Sequence, residues 1–401
     1  MSVRFETLTQ AISAMGDAAA ERREYSEQEI DDLLKKLNQH ATNFKYIDRV
    51  LNFLLWNSGV DKQKYRAARH LWTHEPINQG IPAPFRIPNQ ATIIAVDGSQ
   101  AMPTRHAPYL YYLINLGWIV YHHGSGRAPE EGSKPSLHYV GDDNDTTRND
   151  FASGKVSVER DKGEIDTLAR TVFANKYATA PVLAILDQRL QYFPIGVNDR
   201  TESSQYVTHW IERMQDIKQL NGWLIGYIER PETTAIVKLL QTLDIEQEGF
   251  DPAILNERPQ IHDIDLFRRV LKSGERSTVF EVVNESTNYT PFRDANQEIC
   301  FFYYRPPGGD VSRVDMPKWL AQQEEVVEAI HALLQNQCSL LGNYPYVLTR
   351  ADEIAVVQGR DREYLEHLIA REMERRGIFG ISTGKQFGKE LSRGMKGKHT
   401  L

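Results

Sequence analysis

The chain has 401 residues, a formal net charge of −7, 41% hydrophobic and 25% charged residues, and two cysteines. That composition suits a globular protein of two or three domains or one large elaborated one, contains no apolar run long enough for a bilayer span, and argues against a protein that coats nucleic acid. It leaves room for an enzyme that acts on nucleic acid, with its basic residues confined to a groove. Cys300 and Cys338 are too few and too far apart for a zinc knuckle or a disulfide framework. The N-terminus lacks the apolar core of a secretory signal, so a cytoplasmic location is expected.

Residues 1–90 read as a helical N-terminal region. Ser26 and Glu29 make a capping box ahead of Ile30, Leu33, Leu34 and Leu37. Ile47, Val50, Leu51, Leu54 and Leu55 mark a second helix over 46–56, and 62–72 is a third helical candidate. With no concentration of reactive groups, the region reads as an arm or interaction element, or simply as helices packed on the main domain. Prolines at 76, 82, 84 and 88 mark its boundary.

Residues 92–100, TIIAVDGSQ, are organised as a short, β-branched, unalternating run, the pattern of a strand buried on both faces. Asp97 is expected where that strand leaves the core, and Gly98 where the backbone turns. Strands at 109–122 and 137–140 would continue an antiparallel meander. The polar stretch 141–150, GDDNDTTRND, reads as a loop, without the glycine and terminal glutamate of an EF-hand. A helix over 162–177 carries Glu164 near its start. Residues 181–186, PVLAIL, form a second buried strand, and it too ends in an acid, Asp187. Neighbouring strands lie ~4.8 Å apart, so if these two are neighbours their carboxylates can share metal ions.

Further helices are expected at 201–220, 233–243, 263–272 and 317–337, with strands at 223–228, 277–283 and 299–304. A further helix starts near Leu348 and places Asp352 and Glu353 in its first turns, where the helix dipole favours carboxylates. The order implies an α/β fold, a mixed sheet with crossover helices. The main domain spans 91–380, followed by a basic tail over 381–401 that includes Lys385 and Lys389.

Much chemistry is excluded. Residues 380–386, GISTGKQ, fail as a phosphate loop, because the first glycine is too close and Gln386 stands where Ser or Thr should bind magnesium. There is no G-x-S-x-G elbow, and the adjacent His122 and His123 fall on opposite faces of a strand. The remaining carboxylates near strand ends and helix starts suit phosphodiester hydrolysis, since hard oxygen donors hold Mg²⁺ or Mn²⁺.

The ordered series VDGSQ (96–100), Glu164, ILD (185–187), GYIERP (226–231), LFRRVLKSGERSTVF (266–280), SRVDMPKWLA (312–321) and NYPYVLTRADEIAVV (343–357) resembles the NurA nuclease family over roughly residues 90–390. The resemblance implies an RNase H-like core with flanking helices and a metal-dependent DNA nuclease. It implies Mn²⁺ or Mg²⁺, two ions, 5′→3′ exonuclease and single-strand endonuclease activity, and a homodimer. Its partner would be a hexameric HerA-type ATPase, in DNA end processing. Carried across, the family's acids fall on Asp97, Glu164 and Asp187, with Glu159 and Asp166 close enough to replace Glu164, and the family tyrosine falls on Tyr344. Many members have histidine eight residues beyond that tyrosine; here Asp352 stands there, and an aspartate suits hard ions as a ligand. Arg276 pairs with either a DNA phosphate or a structural carboxylate, and Lys385 and Lys389 offer phosphate contacts. The alternative is a non-catalytic RNase H-like subunit that clamps DNA or regulates the ATPase.

Overall fold

The computed structural model describes residues 8–57, 60–102, 109–139 and 153–378. The chain opens with α1 (Thr9–Gln39), α2 (Phe44–Asn57), β1 (Arg66–His70) and β2 (Ile81–Pro82). Next come β3 (Ala91–Ala101), β4 (Tyr111–His123), β5 (Glu130–Tyr139), α3 (Ser153–Ala174), β6 (Val182–Leu186) and α4 (Arg200–Gln219). Then follow β7 (Trp223–Ile228), α5 (Ala235–Thr242), α6 (Asp263–Val270), β8 (Glu275–Arg276), β9 (Phe280–Asn284) and α7 (Thr290–Asp294). The remainder is β10 (Ile299–Tyr304), β11 (Ser312–Pro317), α8 (Lys318–Ala321), α9 (Glu324–Leu341), α10 (Tyr346–Ala355) and α11 (Gly359–Arg375). No helix among the described residues is long and apolar enough to cross a membrane.

These elements form two compact units, each built from separate chain segments. The first comprises Met1–Asn89, Asp187–Gln191 and Trp223–Tyr346. Its strands pair antiparallel in the order β1-β9-β10-β11-β7, with β8 linking β2 to β10. The α1 stripe Ile30, Leu33 and Leu37 and the α2 stripe Ile47, Leu51 and Leu54 enter one core with Phe280, Phe301 and Tyr303. The N-terminal helices therefore pack as part of this unit, because stripes at helical spacing must bury their apolar face somewhere. The helix expected over 62–72 is instead β1, registered from Arg66↔Asn284 to His70↔Phe280. Alanine and arginine favour helix, but pairing with β9 buries both Ala67 and Ala68 completely, and that tertiary gain decides the outcome. The helix expected over 317–337 is broken into α8 and α9.

The second unit comprises Gln90–Leu186, Tyr192–Gly222 and Val347–Leu401. Strands β3, β4 and β5 form the expected antiparallel meander. The chain then passes through α3 and returns as β6, parallel to β3 on its other edge. A meander whose first strand is central, flanked by a helix-connected parallel strand, is an RNase H-like mixed α/β arrangement. Ile93, Ile94, Ala95 and Val96 are buried, as are all five residues of β6, which matches their unalternating apolar runs. Two local expectations are corrected. Strand β3 does not end at Asp97 but runs on to Ala101, so Gly98 makes no turn. Helix α3 starts at Ser153, which puts Glu164 mid-helix rather than near a start.

Candidate metal centre

The register of β3 on β6 pairs Val96 with Leu186. Asp97 and Asp187 are the residues that come next, so both acids follow the same rung of two parallel neighbours.

In the second unit, α3 lies against β3 at Gly98. A Cβ at Gly98 would stand 2.7 Å from Glu164 Oε1 and 2.7 Å from Arg160 Cγ, closer than side chains tolerate. The glycine is required here for close approach of the helix, and it seats the Glu164 carboxylate beside the Asp97 backbone. Glu164 is only 5% exposed. Its Oε1 lies 3.2 Å from Arg160 Nε. Burial opposes the Arg160 charge, but the Glu164, Asp161 and Asp97 carboxylates outweigh it and hold the guanidinium above its usual range. Asp161 pairs with Arg160 at 3.0 Å and accepts from the Tyr192 hydroxyl at 3.4 Å, yet burial still raises its pKa.

The two sequence alternatives to Glu164 face elsewhere. Glu159 accepts from the Tyr206 hydroxyl, and Asp166 pairs with His209 at 2.7 Å, both against α4. Of the three acids, Glu164 is the one turned to β3. Two residues beyond Asp97, Ser99 Oγ donates to the Ala355 carbonyl at 2.5 Å and accepts from Val357 N–H at 3.0 Å, while Asn115 Nδ2 donates to the same carbonyl at 2.8 Å. These bonds dock the end of α10 on β3 and β4. Asp352 lies in the second turn of α10, within the first turns as expected, and is exposed.

In the first unit, Asp187 is exposed, and the half-buried Tyr344 donates its hydroxyl to the Asp187 carboxylate. Burial, and then the Asp187 charge, push Tyr344 ionisation far above the usual tyrosine range. The edge of the Tyr227–Tyr344 pair, with centroids 5.3 Å apart at 90°, fixes the ring. Arg276 is corrected as a DNA contact. It is 1% exposed and grips Glu75 through two bonds of 2.7 and 3.0 Å, so the structural-carboxylate reading holds. Glu75 lies 201 positions away, so no local sequence signal could select it. Arg160 was not singled out from the sequence; its spacing of four from Glu164 on one helix was the available signal. Lys385, Lys389, the 380–386 stretch and the 141–150 loop lie outside the described residues.

The donors fit a hard divalent cation in kind: all are carboxylates, with Asp97 on β3, Glu164 on α3, Asp352 on α10 and Asp187 directly after β6. A cation already sits among them, since the Arg160 guanidinium is drawn to Glu164 and Asp97. Among the described residues, no three His, Cys, Asp or Glu side chains converge closely enough to form a complete ligand set.

The model of the NurA domain matches residues 91–357. The chain belongs to the NurA family. It is similar to the crystal structure of the NurA nuclease from Sulfolobus solfataricus at 14% identity, over 87% of this chain and 98% of that one, with a TM-score of 0.46. It is also similar to a crystal structure of NurA with manganese, at 12% identity over 81% and 97% of the two chains, with a TM-score of 0.40. A third NurA crystal structure, bound to dAMP and manganese, shares 11% identity over 86% and 97%, with a TM-score of 0.38. No curated protein matches this NurA-family chain.

Proposed function

We propose that this NurA-family enzyme, a metal-dependent nuclease, hydrolyses DNA phosphodiesters as a 5′→3′ exonuclease and single-strand endonuclease. The observation that carries the reading is the seating of Glu164 against Gly98 beside Asp97, on the strand registered with the one that leads into Asp187. Asp97, Glu164 and Asp187 would hold Mn²⁺ or Mg²⁺, two ions, with Asp352 as a further donor. Such ions supply Lewis-acid activation of water and stabilisation of the leaving oxygen.

The chain's own residues do the positioning. Gly98 lets the Glu164 carboxylate reach the level of Asp97. Tyr344 keeps its proton across the working pH range and donates it in a hydrogen bond to Asp187, orienting that carboxylate while leaving acceptor capacity on it. Arg160 balances the charge of the acids around it and offers a cation to an entering phosphate.

The sequence has no phosphate loop, which supports an energy-supplying partner, and we assign that role to a hexameric HerA-type ATPase working with a NurA homodimer on DNA ends in the cytoplasm. Purified protein with Mn²⁺ and end-labelled single-stranded DNA tests the chemistry. Wild type should degrade the strand and Asp97→Asn should leave it intact; equal outcomes for the two proteins, with and without the ATPase, would sink the catalytic reading. Co-expression with the ATPase should yield one large species on sizing. A second reading, a non-catalytic DNA clamp, draws on the exposed Asp352 and on the incomplete ligand set among the described residues. Mn²⁺ binding that depends on Asp97 and Asp187 separates the two.

A further inference from the structure

Two motifs in the resemblance, GYIERP and SRVDMPKWLA, contribute none of the acids assigned to the metal centre. Both lie in the first unit, and both meet the short segment that carries Asp187. Strands β7 and β11 pair with Asp315 directly opposite Gly226, so the two positions project to the same face of the sheet. The segment after Asp187 crosses that face at this rung. Leu190 N–H donates to Asp315 Oδ2 at 3.3 Å. A Cβ on Gly226 would collide with the Gln188 carbonyl and stand 3.3 Å from Leu190 N. One residue thus holds the segment by a bond, and the other admits it by having no side chain.

Asp315 is itself fixed. It is 1% exposed, and Arg313 Nε donates to its Oδ1 at 2.6 Å. Arg313 lies two residues earlier on the same face of β11, with its guanidinium 3.8 Å from the centroid of Phe301. Phe301 is in turn the partner of Asp315 in the β10–β11 register. A buried ion pair is poor evidence for stability, because desolvation offsets most of the attraction. Here the two Asp315 oxygens divide the work, with Oδ1 binding the arginine and Oδ2 taking a backbone N–H three residues from Asp187. The segment also ends in a fully buried anchor, Leu190. Asp187 lies between that anchor and the end of β6.

We infer that Asp315, oriented by Arg313, together with the bare backbone of Gly226, positions the Asp187 carboxylate for the metal. These are positioning residues, acting through the 188–190 backbone and touching neither metal nor DNA. The inference rests on Asp187 being a metal ligand, and the experiment keeps the two claims apart. Mn²⁺ binding to the full-length protein is followed by the loss of the free-ion EPR signal, alongside Mn²⁺ titration of nuclease activity and a thermal melt. Wild type should bind and Asp187→Asn should not; if wild type fails to bind, or Asp187→Asn binds equally, the metal-ligand reading falls. Given that baseline, Gly226→Ala and Asp315→Ala should each weaken Mn²⁺ binding by about 10–100-fold, the range of outer-shell losses at metal sites. Asp315→Asn, which keeps an oxygen for Leu190 N–H, should recover part of the loss. Leu266→Ala, in the core of the same unit, lowers the melting temperature without touching the segment and should bind as wild type does. Positioning is overturned if Gly226→Ala and Asp315→Ala bind Mn²⁺ as tightly as wild type. It is equally overturned if Leu266→Ala weakens binding as much as they do, or if Asp315→Asn is no better than alanine. Should Asp315→Ala not fold, Gly226→Ala alone carries the same comparison.

Discussion

Gly98 illustrates how one residue type can be read in two ways. Asp-Gly after an apolar run is a turn signal, yet the strand continues, and the glycine exists for α3. The sequence displays the glycine but not the helix that approaches it, because that contact joins residues far apart in the chain. Gly98→Ala should therefore leave the strand intact and displace Glu164 and Arg160, which would meet the new Cβ at 2.7 Å. We expect nuclease activity to fall about 10–100-fold, in the range of lost ligand support, with little change in the melting temperature. Activity within about twofold of wild type, well short of that range, would show that Glu164 has no part in the chemistry. The burial of the runs that lead into Asp97 and Asp187, by contrast, was legible, because their hydrophobicity alone dictates it. Arg276 was legible only as a choice between two partners; its answer, Glu75, is a long-range contact.

At the scale of elements, β6 and β7 were read nearly to their ends and β3 only as far as its apolar run, since short β-branched or aromatic runs admit few alternatives, whereas the polar continuation of β3 to Ala101 carries no such pattern. The β1 segment was not, because its alanines carry helical propensity and its partner β9 is far along the chain. Both Ala67 and Ala68 are fully buried, so Ala68→Leu should destabilise the protein by about 1–3 kcal/mol through overpacking. In an exposed helix the same change would be nearly neutral, and urea unfolding distinguishes the cases. Helix α9 offers a pH test. His331 is fully buried against Tyr304, and its Nε2 meets the Gly274 carbonyl at 2.9 Å. Burial, and then the neighbouring Arg276 charge, lower its pKa to about 3. The unfolded chain, with an ordinary histidine near ~6.5, takes up a proton that the folded chain refuses. Its contribution is complete above ~6.5 and is lost as pH falls from there toward about 3. His331→Gln should flatten the fall in unfolding free energy across that window, and an unchanged slope would place the acid sensitivity elsewhere.

For the whole molecule, the distinction between an arm and a domain matters most at the N-terminus. Ile30, Leu33, Leu37, Ile47, Leu51 and Leu54 are buried in the first unit's core. At about 1.5–3 kcal/mol for each buried side chain, six of them rival the ~5–15 kcal/mol that holds a whole domain together. Deleting residues 1–60 should therefore abolish cooperative unfolding and give soluble aggregates on sizing. A truncated protein that melts cooperatively near the wild-type temperature would restore the picture of a detachable arm. The sequence revealed α2 and the apolar half of α1, but α1 begins at Thr9, well ahead of the Ser26 box, and amphipathic stripes state that a partner exists without naming it.

The bond from Leu190 to Asp315 also has a meaning in time. A ribosome that has delivered the chain as far as Val314 has already made Asp97, Glu164 and Asp187, yet it has not made the carboxylate that fixes the last of them. A copy that stops there lacks the Leu190–Asp315 bond, although it already contains Asp97, Glu164 and Asp187.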